Sequence, residues 1–304
     1  MNDEAINGVI GMANSMAKEI RELSAQNQRQ HEEVRAARES VETLLCGLMD
    51  LFLPHLGGHN RRVAALVDEI TERMRLPEST CKVNHNAALF HDIGMLGLPR
   101  AALFAPWENL SDTERNLILA HPDMGAALLK PMSWYQDAAV LVSAHHEHWD
   151  GSGFPRHIGK ENIPLGARII AVCDAYDEML NKPADAPQTF SEEEVLAHIK
   201  KQRGGHFDPK IVDLFLERGI RGVGAAGGNP LATEIPVSVS QLRPGMVLAR
   251  DLCSASGLMM LAKDTLLQEA MVIRLQSMQD DRAVVEPIFV RVEVNPGEDA
   301  GERA

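Results

Sequence analysis

"QDAAVLVSAHHEHWDGSGFP", residues 136–155, decides how the middle of this chain folds. An apolar run at helical spacing leads straight into His145 and His146. Three histidines, a Glu and an Asp then fall within six positions, and Gly-Ser-Gly-Phe-Pro ends the stretch with a tight turn. A solvated loop can be polar without being so rich in imidazole. The pattern is a helix that delivers metal-capable side chains at its end.

The same unit recurs on both sides. "NRRVAALVDEITERM" (60–74) has helical apolar spacing and stops before Pro77, and "STCKVNHNAALFHDIG" (79–94) stops at Gly94. "SDTERNLILAHPDMGAALL" (111–129) opens with a Ser/Asp cap and an acidic first turn, and reads as one helix. "PLGARIIAVCDAYDEML" (164–180) and "SEEEVLAHIKKQ" (191–202) follow. "DPKIVDLFLERG" (208–219) then places Asp208 as N-cap and Pro209 at the first helical position. No strand alternation interrupts this block, so residues 50–218 are expected to form an all-α bundle.

Ahead of it, Val9, Ala13, Met16, Ile20, Leu23, Asn27, Gln30, Val34, Ala37, Val41, Leu44 and Leu48 alternate spacings of four and three. That is a heptad seam with polar Asn27 at an a position, a device that fixes two-stranded register. Residues 1–49 are therefore expected to form a coiled-coil-like helix that makes a homodimer, the alternative being a long helix folded back on its own domain. Behind the bundle, the glycine-rich 219–230 reads as a linker and 231–295 as a small α+β module. Its strands are "EIPVSV", "MVLARDL", "LMMLA" and "IFVRVEV", with a helix in "TLLQEAMVIRLQSM"; residues 296–304 read as a disordered tail. The fold class is thus mainly α.

Composition narrows the function classes. A net charge of −13 argues against DNA or anionic membranes as general partners. No apolar run is long enough to span a membrane. Cys46, Cys81, Cys173 and Cys253 form no CxxC and fit reduced thiols in a cytoplasm. Besides His145 and His146, the bundle offers His59, His91–Asp92, His121, and Asp174 with Asp177 one turn later, each at or near a helix end. Mixed imidazole and carboxylate donors without thiolate suit Fe or Mn, with Zn as the alternative. An isolated histidine at a helix end is ordinarily a cap; the adjacent His-Asp and His-His pairs point instead to metal.

"HNRRVAAL", "ALFHDIG", "HPDMG", "HHEHWDGSGFP", "IPLGARIIAVCDAYD" and "GGHFDP" stand in the order and near the spacing of the HD-GYP family, which the chain resembles over residues 50–218. That family belongs to the HD superfamily of metal-dependent phosphohydrolases, and its members typically hydrolyse cyclic di-GMP. The resemblance implies an HD-type helical bundle and two divalent transition-metal ions. It implies His59, His91, Asp92, His121, His145, His146 and Asp174 as ligands, with His91 and Asp92 at the catalytic centre and Asp92 bridging. Two cations about 3.5–4 Å apart can activate a water and clamp a phosphate. Gly151, Gly153, Phe154 and Pro155 would form a substrate-facing turn. Arg168 has two readings, a structural partner or a phosphate contact, and Lys182 is the remaining cation of the phosphate loop. Glu147 is expected to support the histidines and Asp150 to brace the turn, with Asp177 also behind the ligands. His148 and His157 read as solvated, and His206 needs no special role.

The chain departs from the family at three places. Met95 stands where the family has Lys, the loop after residue 180 lacks the family's arginines, and Phe154 replaces a Tyr. His55 stands where members with a third metal carry Glu, so it is a candidate third-metal ligand, while two metals are expected. Each lost charge-assisted hydrogen bond removes about 1.5–3 kcal/mol. The expected function is cyclic di-GMP hydrolysis at reduced rate; the alternatives are a metal-bearing receptor or scaffold and a phosphohydrolase of another nucleotide.

Overall fold

The computed structural model describes residues 3–99, 102–103, 105, 107–181, 189–217, 233–253, 259–261, 263, 265–278 and 284–292. The linker 219–230, the tail 296–304, Lys182 and the side chain of His55 lie outside the described residues. The chain divides into two compact units, Met1–Gly47 and Leu48–Ala304.

In the first unit the expected helix is present as part of α1, Asp3–Phe52. Met16, Ile20, Leu23, Val34 and Leu44 of the heptad seam stand exposed along it.

The second unit begins with the last turn of α1 and continues through α2 (Pro54–Arg73) and α3 (Glu78–Leu89). Next come α4 (Asp112–Leu119), α5 (His121–Leu129), α6 (Gln136–Val142), α7 (Leu165–Leu180), α8 (Glu192–Lys201) and α9 (Pro209–Leu216). The described residues of 50–218 contain no strand, as the sequence pattern requires. Val63, Leu66, Val67 and Ile70 recur at helical spacing and bury one face of α2, against which α3 and α7 pack. Ile169, Ile170, Val172 and Tyr176 are among the buried side chains of α7. Ser111 with Glu114, and Ser191 with Glu194, form complete capping boxes that start α4 and α8. Asp208 caps α9 as expected, its carboxylate accepting from the Lys210 N–H.

One expected helix is two. The run 111–129 breaks at Ala120, because Pro122 has no N–H to give to the carbonyl of Ile118 and its ring crowds that carbonyl. The break places His121 at the first position of α5.

After the bundle, β1 (Thr233–Val237), β2 (Val247–Leu248) and β5 (Ile288–Val292) form an antiparallel sheet in the order β1-β5-β2. A second, two-stranded sheet pairs β3 (Leu252–Cys253) with β4 (Met259–Leu261). "MVLARDL", read as one strand, is thus split between two sheets. The chain turns at Arg250, whose guanidinium lies 3.8 Å from the Phe289 ring centroid and pairs with Glu234, while Asp251 accepts from the Lys263 N–H. Helix α10 (Glu269–Ser277) closes the core, bringing Met271 and Leu275 into the cluster with Leu242, Leu248, Leu267 and Ile288. This module touches the bundle: β4 lies against α2, and Arg274 donates to the Leu51 carbonyl at 3.2 Å.

Only Leu53 separates α1 from α2, and the corner is held by an ion pair. The Asp50 carboxylate is buried at 1% exposure and accepts two bonds from Arg61. Losing one member of such a pair leaves the other charge poorly solvated. Asp50→Ala is therefore expected to lower the unfolding free energy by about 2–3 kcal/mol, measured in urea. A loss below about 0.5 kcal/mol, the size of an ordinary surface change, would show that the pair does not hold the corner.

Candidate metal centre

His91 and Asp92 follow the end of α3, His121 starts α5, His145 and His146 follow α6, and Asp174 lies on α7 facing His59 of α2. The bundle brings these seven side chains together in two adjoining sets. Asp92, His121, His145 and His146 each offer an atom within 4.8 Å of the others, and so do His59, His91 and Asp174. Asp92 faces both sets: Oδ1 lies 3.4 Å from His121 Nε2, while Oδ2 lies 3.1 Å from His91 Nε2 and 3.9 Å from His59 Nε2. Asp174 Oδ1 is 3.0 Å from His59 Nε2 and 3.6 Å from His91 Nε2.

The orientation of the rings comes from helix ends. The last carbonyls of a helix have no intrahelical partner. His91 Nδ1 donates to the Ala88 carbonyl at 2.7 Å, His121 Nδ1 to Ile118 at 2.6 Å, and His145 Nδ1 to Val142 at 2.6 Å. The Ile118 carbonyl is the one that Pro122 leaves unused. A carbonyl only accepts, so each of these rings carries its proton on Nδ1 and turns a bare Nε2 inward when neutral.

That arrangement fits cations. His121 Nε2 and His145 Nε2 face each other at 3.3 Å, two acceptor atoms when both rings carry their proton on Nδ1. His91 Nε2 is fully buried, and although burial opposes it, the Asp92 and Asp174 carboxylates facing that atom push the imidazole well above the ordinary histidine range. Burial and the neighbouring imidazoles push His145 well below the ordinary histidine range, and burial brings His146 down to about 4. Both are neutral and ready to ligate. In the other set, burial alone would lower His59, but hydrogen bonds to Asp174 and Asp177 outweigh it and push the group up to about 9. Burial likewise opposes ionisation of Asp92 and Asp174, yet His91 and His121 hold the first, and His59 and His91 the second, well below the usual carboxylate range.

Around the donors, Asp177 accepts from His59 Nδ1 at 2.8 Å, and Arg62 grips the same carboxylate from Nε and Nη2 at 2.7 and 2.8 Å. Gly151 adopts φ +83, and a Cβ on Gly153 would lie 2.4 Å from the His146 carbonyl, so the turn requires both glycines. The Phe154 ring stacks on His146 with centroids 4.7 Å apart, and the turn leads into Pro155. Asp150 accepts from the Ser152 N–H. The Glu147 carboxylate reaches the N–H groups of Arg156 and Ile158, at 2.6 and 3.1 Å, rather than an imidazole. Arg168 is held by Asp208 at 2.5 Å and by the Ile163 carbonyl. His148 is half-buried and stacks on His206 at 3.9 Å instead of standing in solvent. Arg62 was not singled out from the sequence, although its position three residues after His59, on the same helical face, marks it.

Protonated His59 and His91 must each release a proton to ligate, so metal affinity at this set is expected to rise with pH through about 9. Each released proton gives close to tenfold per pH unit, so the two together give up to about a hundredfold. For the metal-free fold the sign is opposite. The raised pKa contributes stability below the ordinary histidine value and is lost as pH rises through about 9. Chelator competition between pH 6 and 9 measures the first effect; a flat profile would show that His59 is not a ligand.

Residues 44–211 match the family model described as an HD domain. The chain is 31% identical over 163 residues to the 3'3'-cGAMP-specific phosphodiesterase 2 of Vibrio cholerae, covering 53% of this chain and 31% of that protein. It is 34% identical over 157 residues to the cyclic di-GMP phosphodiesterase response regulator RpfG of Xanthomonas campestris, covering 51% and 41% respectively. The chain thus spans well under half the length of these curated relatives. A crystal structure of a cyclic GMP-AMP-specific phosphodiesterase of V. cholerae shares the fold, with a TM-score of 0.50 at 21% identity over 62% of this chain and 51% of that one. With more than half of its length matched and with paired histidines and aspartates converging as described, this chain belongs to the HD domain family.

Proposed function

We propose that the chain is a metal-dependent phosphodiesterase that opens a cyclic dinucleotide, with cyclic di-GMP as the substrate. The observation that carries this reading is the pair of adjoining donor sets joined by Asp92. His59, His91 and Asp174 would hold one divalent ion, His121, His145 and His146 the other, and Asp92 both. Iron or manganese suits this donor set, with zinc as the alternative. Two such ions, when bound, supply Lewis-acid charge stabilisation and an activated water for attack on phosphorus. The protein's own part is orientation: helix-end carbonyls aim the imidazoles, and the glycine turn at 151–153 brings the rim of the site beside His146. The named activities of the relatives, on cyclic di-GMP and on 3'3'-cGAMP, support the substrate class.

Met95 favours a second reading, a receptor that binds the nucleotide and leaves it intact. It sits three residues after Asp92 on the 3-10 turn Ile93–Gly97, with an uncharged side chain where a cation would assist phosphate. Incubating Mn- or Fe-loaded protein with cyclic di-GMP and resolving the products by chromatography separates the two. If the chain is an enzyme, Met95→Lys is expected to raise turnover at least about tenfold, ~1.4 kcal/mol of barrier. Asp92→Ala is expected to abolish turnover in both backgrounds. Binding without turnover, merely tightened by Met95→Lys, would establish the receptor. Inertness toward cyclic di-GMP in both proteins would shift the assignment to another nucleotide, with 3'3'-cGAMP next to be assayed.

The exposed seam of α1 supports a homodimer, because a partner helix would bury the run of Met16, Ile20, Leu23, Val34 and Leu44. Light scattering at micromolar concentration should give a dimer, and Asn27→Leu should raise its stability while admitting other oligomers. A monomer under those conditions would refute the seam.

A further inference from the structure

We propose that Arg62, acting through Asp177, is a positioning residue that sets the metal affinity of the His59–His91–Asp174 set and leaves the other set unaffected. The inference rests on the reading of these side chains as metal ligands.

His91, His121 and His145 are aimed by backbone carbonyls, which no substitution at a neighbouring side chain removes. His59 differs: its Nδ1 partner is the side chain of Asp177. Asp177 is 2% exposed and fully engaged, accepting from His59, twice from Arg62 and from Asn181 Nδ2 at 2.9 Å. Two helices build this brace symmetrically. Helix α2 carries the ligand His59 and, three residues on, Arg62; α7 carries the ligand Asp174 and, three residues on, Asp177. Each helix therefore carries one ligand and, one turn further along, one supporting side chain; Arg62 and Asp177 lock across the helix pair, and Asp177 holds His59.

Charge makes Arg62 necessary as well as geometry. Asp92, Asp174 and Asp177 all lie within reach of His59, and the latter two face its two ring nitrogens. Arg62, its side chain 12% exposed, supplies the guanidinium that offsets Asp177. The planar fork meets both carboxylate oxygens and so fixes the tilt of the carboxylate and, through it, the ring. Lysine keeps the charge without the fork. Partners that orient a ligand typically contribute 10–100-fold to metal affinity.

The experiment is a Mn²⁺ titration of the full chain in competition with a chelator, with Co²⁺ visible spectra as a second readout. Wild type should bind two ions. Arg62→Gln should weaken one of them about 10–100-fold with the other unchanged, and should alter the Co²⁺ spectrum of that one ion alone. Arg62→Lys should fall between. Thermal melting of the metal-free proteins checks the fold, and if the Gln variant does not fold, the Lys variant carries the same comparison. Two unshifted ions in the variant, or both weakened equally, would overturn the proposal while leaving the metal reading intact. A wild-type chain that binds no ion would overturn the metal reading itself.

Discussion

Bare nitrogen and oxygen donors face one another inside a helical core, and this arrangement constrains the rest of the bundle. His91 and His145 are at most 1% exposed, and Asp92, His121 and Asp174 below 9%. Burying polar groups without partners costs several kcal/mol each. The fold lowers that cost from behind, by giving outward-facing ring nitrogens to carbonyls left over at helix ends. It leaves the cost in front, where only protons or cations can relieve it. The helix ends match this, since α3, α4 and α6 each stop just before one of these donors.

Much of this was legible in the sequence. His91–Asp92 and His145–His146 stand out because two adjacent donors at a helix end serve no capping purpose together. The helices showed through their apolar period and caps, and Gly151 and Gly153 through the turn they imply. What escaped notice has a common physical cause: it depends on where a long polar side chain reaches across space. Arg62 spans from α2 to α7, Asp50 meets Arg61 around a corner, and Glu147 turns from the imidazoles to two backbone N–H groups nine and eleven residues on. None of these targets is local in sequence. The split of "MVLARDL" escaped for a similar reason, since alternation predicts extended backbone but not which sheet receives it. Pro122 was the exception, a local signal passed over because the apolar period ran through it.

The small module bears on the same helix that opens the metal site. With β4 against α2 and Arg274 on the end of α1, it buttresses the corner around Leu53 from outside, while Asp50 and Arg61 hold it from within. His59 lies six residues beyond that corner. The module's contacts thus bear on the ligand whose orientation depends most on side chains, and not on the carbonyl-aimed histidines.

Gly153 has a further consequence. Its backbone presses on the His146 carbonyl and the His148 N–H so closely that no side chain fits between, and Phe154 returns an N–H to the same carbonyl at 3.1 Å. The rim of the site and the His146 imidazole are therefore a single mechanical piece. Such a rim cannot swing open like a lid without dragging an imidazole with it.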